Sequence, residues 1–106
     1  MAWVYLTVAG IFEVVWAFAM KQSDGFTRPG PTAVTIVAMI ASFALLALSM
    51  KSLPLGTAYT IWTGIGAVGA FLVGIFILGE QANAMRIVAA LLIVSGLILM
   101  KLSSPA

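Results

Sequence analysis

The sequence predicts an all-α integral membrane protein with four transmembrane helices per chain, joined by short connections. Three observations predict it. Hydrophobic residues make up 63% of the 106 positions and charged residues only 8%, a balance that a water-soluble domain cannot carry because its surface must be polar. Apolar runs near the length a helix needs to cross a bilayer, about 20 residues, recur four times. The gaps between the runs are short and rich in Gly, Pro and charge, which suits turns rather than hydrocarbon. A closed β-barrel is excluded, because the runs lack period-2 alternation and exceed a tilted strand. Residues 1–106 are therefore expected to form a single four-helix transmembrane domain.

The first span is predicted at about 2–20. Its small residues Ala17 to Ala19 resemble a signal-peptide cleavage site. The basic n-region of a signal peptide is missing, however, and Glu13 interrupts the apolar stretch, so the segment is read as a retained span. "KQSDGFTRPGP", from Lys21 to Pro31, then forms a turn and leads to a second span at about 32–50. "KSLPLG", from Lys51 to Gly56, precedes the third at about 57–78, and "GEQANAMR", from Gly79 to Arg86, precedes the fourth at about 85–100.

Four spans place Lys51 and Lys101 on one side of the membrane and Lys21, Arg28 and Arg86 on the other. Orientation follows the excess of Lys and Arg in short loops, and here the two sides nearly tie. Two readings follow: a single dominant Lys fixes one orientation, or copies insert both ways and one gene supplies both halves of an antiparallel pair. No repeat relates the two helix pairs within the chain. Transporters commonly build alternating access from inverted repeats, and a dimer of opposed copies would supply that symmetry.

Glu13 falls near the middle of the first span. An ionised acid at that depth costs at least ~2.5 kcal/mol, and no other acidic, basic or His side chain lies deep inside a predicted span to compensate it, Arg86 standing at the very start of the fourth. The bland alternative is a protonated Glu acting as hydrogen-bonding glue between helices; the functional reading is a site for a proton or a cation. Gly10, Trp16 and Ala17 share the helical face of Glu13, so a small residue leaves room beside the acid and an indole N–H stands one turn away.

In the third span Tyr59, Trp62, Thr63 and Gly66 follow i, i+3, i+4, i+7 spacing and form a polar aromatic stripe. Buried indole and phenol donors need acceptors, and a carboxylate is a good one. Ser42 of the second span is either part of that surround or bonded to a carbonyl of its own helix. Gly64, Gly66 and Gly69 are candidates for a bend, while Gly66, Ala70 and Gly74 form a small-residue contact stripe. In the fourth span Ala89, Ile93 and Gly96 share a face, and Ser95 is its one polar side chain. A helix of that kind packs or dimerises.

The chain contains no Cys and no His. Thiol chemistry, disulfides and the commonest metal ligands are removed, so neither a metal nor a cofactor is expected. No second acid or nucleophile accompanies Glu13 to form a catalytic pair, and the protein is not expected to be an enzyme. Five Lys and Arg scattered singly make no nucleic-acid patch.

"GIFEVVWAFAMKQSDGFTR" at 10–28 and "LPLGTAYTIWTGIGAVGA" at 53–70 resemble the small multidrug resistance transporters over nearly the whole chain. They look like the guanidinium exporter branch rather than the branch exporting bulky polyaromatic cations. The resemblance implies Glu13 as the shared substrate and proton site, with Trp16, Ser42, Tyr59 and Trp62 as its hydrogen-bonding surround. It also implies Gly64 and Gly66 as the bend of the third helix, and Met39 and Phe43 as a lipid-facing portal. Ala89 stands where many members have Gly in the fourth-helix dimer motif. An antiparallel dual-topology homodimer in the bacterial inner membrane is implied too.

The expected activity is proton-coupled antiport of guanidinium or small substituted cations, with the bilayer, protons and a second copy of the chain as the other partners. Two alternatives stand beside it. One is an exporter of quaternary ammonium or other hydrophobic cations, and the other a non-transporting membrane subunit in which Glu13 is glue.

Overall fold

The computed structural model describes residues 1–103, which form four α-helices: α1 (Ala2–Gln22), α2 (Pro29–Ser49), α3 (Leu55–Phe76) and α4 (Ala84–Ser103). Each is long and apolar enough to cross a membrane. Their bounds differ from the apolar segments by a few residues, because helix ends follow capping chemistry and not hydropathy. α2 begins at Pro29, whose missing N–H costs nothing in a first turn. α3 begins just after Pro54 and stops short of Gly79, whose positive φ of 71° breaks the helical path. α4 begins after Asn83, whose Oδ1 accepts the Arg86 amide at 2.9 Å and satisfies a first-turn donor.

The α1–α2 turn is organised by Ser23. Its fully buried hydroxyl donates to the Met20 carbonyl at 2.6 Å and accepts the Phe26 amide at 3.1 Å. Those bonds hold Asp24, Gly25 and Phe26 in left-handed conformations with φ of 50°, 72° and 67°, a geometry that only Gly adopts without strain.

α1 is central, packed on α2 along one side and α3 along the other. α4 packs on α3 and reaches α1 at the Lys101–Trp3 contact, so the molecule is a slab of 43 × 34 × 16 Å. The close-packed core gathers Leu6 and Ala9 of α1, Leu46 of α2, Leu53, and Ala58, Ile61 and Trp62 of α3. These belong to the N-terminal halves of α1 and α3 and the C-terminal half of α2. The core therefore closes one end of the bundle. Toward the other end a cleft of about 380 Å³ opens between α1 and α3.

No residue of α4 is buried, and Leu91, Leu92, Leu99 and Leu102 are all exposed. In water such a helix would not stay separate. In lipid, where hydrocarbon solvates leucine as well as a protein core does, exposure of this kind costs little. Cation–π contacts hold the two ends of α4: the Arg86 guanidinium carbon lies 5.2 Å from the Phe71 ring centroid, and Lys101 Nζ lies 4.9 Å from that of Trp3.

Candidate functional site

Glu13 occupies the middle of α1, where that helix meets α3. Its carboxyl lies directly on the Cα of Gly66, in a position that a Cβ on Gly66 would occupy. Glycine is required there for close approach: any side chain would displace the acid. Oε1 of Glu13 is buried without a hydrogen-bond partner, and Nε1 of Trp16, one turn on, is likewise buried and unpartnered. A buried polar atom left unpaired costs about 1–3 kcal/mol. Two of them on one face of one helix call for an explanation.

A hydrogen-bonded relay links the three packed helices one turn below the acid. Trp62 Nε1 donates to Ser42 Oγ at 2.9 Å, and Ser42 Oγ donates to the Ala9 carbonyl at 2.7 Å. Both expectations for Ser42 are thereby refined. Its bond goes neither to its own helix nor to Glu13 but to α1, at the residue one turn before the acid. Trp62 is the donor that needed an acceptor, and it finds a hydroxyl instead of a carboxylate. Phe43 and Tyr59 flank its indole, with ring centroids at 5.6 and 5.7 Å, so the ring is clamped from two sides.

The stripe read from the third span divides into two faces. Trp62 and Gly66 are buried toward α1, whereas Tyr59 and Thr63 are exposed. The latter two line a groove of about 470 Å³ shared with Ile93 and Gly96 of α4. The division follows from the helix itself, since each residue turns the side-chain direction by about 100° and only i, i+4 partners stay aligned.

Gly10 also serves differently from expectation. The space above it is filled by Ile65, not left open beside Glu13. Gly69 receives Val14, and Gly64 receives Leu97 of α4. α3 runs as unbroken helix through all three of its mid-span glycines, each one a contact surface for another helix. Met39 is partly buried and Phe43 exposed on the outer side of α2. Ala89, Ile93 and Gly96 are all exposed, and nothing lies within 4 Å of where a Gly96 Cβ would be.

A feature of the α3–α4 corner went unread in the sequence. Glu80 and Arg86 approach to 3.8 Å at the mouth of the cleft. They stood in a segment read only as a turn, and the acid, base and nearby Phe71 carry no spacing signal that would have joined them.

The sequence profile of the Small Multidrug Resistance protein family matches residues 1–93. The chain belongs to the small multidrug resistance family. Within it, the chain is 57% identical over 104 residues to the guanidinium exporter of Escherichia coli K12, covering 98% of this chain and 99% of that protein. It is 55% identical to the guanidinium exporter of Yersinia pseudotuberculosis and 53% identical to that of Citrobacter freundii, again over 104 residues. Small multidrug resistance proteins are transporters. Membership and four membrane-length helices make this chain a multi-pass protein of the bacterial inner membrane.

Proposed function

We propose that the protein exports guanidinium in exchange for protons, with the Glu13 carboxylates of two antiparallel copies facing one central cavity. The observation that carries the proposal is the Glu13 carboxyl, half-buried in mid-span, seated on Gly66 and with its Oε1 buried and unpartnered. No Lys, Arg or His stands within a turn of it on α1, whose one cation, Lys21, lies about two turns away in the last turn. Charge compensation must therefore come from outside the chain, as a proton or as a cation.

Guanidinium suits that carboxylate because its planar fork of N–H donors meets two oxygens at once, as arginine does. The unpartnered indole of Trp16 adds a flat aromatic group on the same helical face. Protons and substrate would compete for the same oxygens. The dimer would exchange access only with its buried charge compensated, by one ligand or the other. Under an inward proton gradient the net result is export. That relatives at 53–57% identity are named guanidinium exporters supports guanidinium over bulkier cations. The α4 helix, none of whose residues is buried, and the near tie in loop charge support the antiparallel pair.

Sealed proteoliposomes with a pH dye inside test the proposal. Adding guanidinium outside should drive protons out of wild-type vesicles and leave Glu13→Gln vesicles silent, with the variant still assembled. Proton movement with tetraethylammonium but not guanidinium would transfer the reading to quaternary ammonium export. Silence with both, from a Glu13→Gln chain that also fails to assemble, would make Glu13 glue in a non-transporting subunit.

A further inference from the structure

The α3–α4 corner holds a guanidinium group in a formed setting, and the group is the chain's own. Arg86 Nη2 lies 3.8 Å from Glu80 Oε1, and Nη1 donates to the Gln81 carbonyl at 2.6 Å. The guanidinium carbon stands 5.2 Å from the centroid of the Phe71 ring. A carboxylate, a carbonyl and an aromatic face are the three kinds of group that recognise a planar forked cation. Glu80 is itself held in place. Its amide donates to the Gly74 carbonyl at 2.9 Å, and its carboxyl rests against Gly74, where an added Cβ would collide with it.

The hold on Arg86 is loose. At 3.8 Å the ion pair is longer than a hydrogen bond, and the two side chains are 41% and 45% exposed, so solvent and salt screen it. The same carboxylate lines the cleft whose inner wall includes Val14, Ala17, Ala67 and Ala70. Those residues flank Glu13 and Gly66 along their helices. The cleft thus reaches from the corner to residues beside Glu13 and Gly66, which do not themselves line it. Lys21, the remaining charge on the cleft, is exposed and disfavours a second cation there, which keeps any affinity at the corner weak.

We propose that Glu80, the Gln81 carbonyl and Phe71 form a second, peripheral guanidinium site at the mouth of the cleft between α1 and α3, occupied by Arg86 until a free guanidinium ion displaces it. The proposal rests on guanidinium being the substrate. Arg86 acts as a tethered competitor, and short tethers give effective concentrations in the millimolar range. Free guanidinium therefore takes the corner only at about millimolar levels or above. The displaced arginine reaches solvent without being buried.

The chain has two arginines, Arg28 and Arg86, so side-chain NMR of isotope-labelled arginine carries its own control. The purified full chain in micelles is titrated with guanidinium chloride, and separately with potassium chloride at matched concentrations. The Arg86 Nε resonance should shift saturably with guanidinium, in wild type and in Glu13→Gln alike, while Arg28 stays still. Potassium should leave Arg86 unmoved, and Glu80→Gln should abolish the shift. An unmoved Arg86, an equal response to potassium, or a shift seen only with Glu13 intact overturns the proposal. Guanidinium-driven proton flux in vesicles with no Arg86 shift leaves the antiport reading standing without the corner. A shift without flux does the reverse.

Discussion

Replacing Ser42 with alanine removes one oxygen from the centre of the relay, and the structure sets the size of the loss. Ser42 is fully buried; it accepts from Trp62 Nε1 at 2.9 Å and donates to the Ala9 carbonyl at 2.7 Å. The carbonyl keeps its own helical amide, but the indole N–H is left buried with no acceptor. Interhelical hydrogen bonds in membrane proteins average about 0.6 kcal/mol, so two of them give about 1.2 kcal/mol. The desolvation cost of the stranded donor raises the upper limit to about 3 kcal/mol. Ser42→Ala should therefore destabilise the protein by roughly 1–3 kcal/mol. The assay is reversible unfolding in mixed micelles of rising sodium dodecyl sulfate content, followed by tryptophan fluorescence. A double-mutant cycle with Trp62→Phe should return a coupling of about 0.6 kcal/mol or more. Strictly additive single changes, or a Ser42→Ala protein within about 0.3 kcal/mol of wild type, would refute the reasoning that this relay ties α1, α2 and α3 together.

Gly66→Ala places a methyl group on the Glu13 carboxyl; it should cost about 1–3 kcal/mol through overpacking and abolish guanidinium-driven proton flux, measured in vesicles. Gly64→Ala and Gly96→Ala separate contacts within a chain from contacts between copies. The first collides with Leu97 and should lower protomer stability, whereas the second meets open space and should change only the dimer dissociation constant, read by single-molecule photobleaching across dilutions in lipid. Trp16→Phe deletes an indole N–H that has no acceptor in the chain, so unfolding stability should hold or rise slightly while the half-saturating guanidinium concentration increases. Under the proposed competition of protons and guanidinium for Glu13, substrate binding should tighten with rising pH. The change is about tenfold per pH unit while one proton is displaced per cation, then a plateau, and calorimetric titration in buffers of different ionisation enthalpy should count that proton.

Much of this protein is legible in its sequence because lipid imposes a simple rule: every backbone group must be satisfied within its own segment, so apolar runs of the right length become helices. The same rule makes Glu13 conspicuous, since an acid in such a run has to answer for its charge. Capping chemistry moved the ends, with Pro29 taken into α2 and Pro54 excluded from α3. Small residues were less informative. Gly10 reads as room and Gly64, Gly66 and Gly69 as a bend, with Gly66 also a contact, yet in the fold each receives one specific side chain: Ile65, Leu97, Glu13 and Val14.

The sequence by itself determined the number of spans, their approximate limits and the acid around which a transport site is proposed, because hydropathy and charge are properties of single residues summed over a window. Only the tertiary structure decided that Ser42 bonds to Ala9, that Thr63 parts from Trp62, and that Arg86 meets Glu80 over Phe71. Those outcomes depend on which helix neighbours which, and at what rotation. In hydrocarbon one apolar face packs about as well as another, so periodicity leaves the rotation open. It is settled by small-residue contacts and a few polar bonds, which exist only once the helices have met.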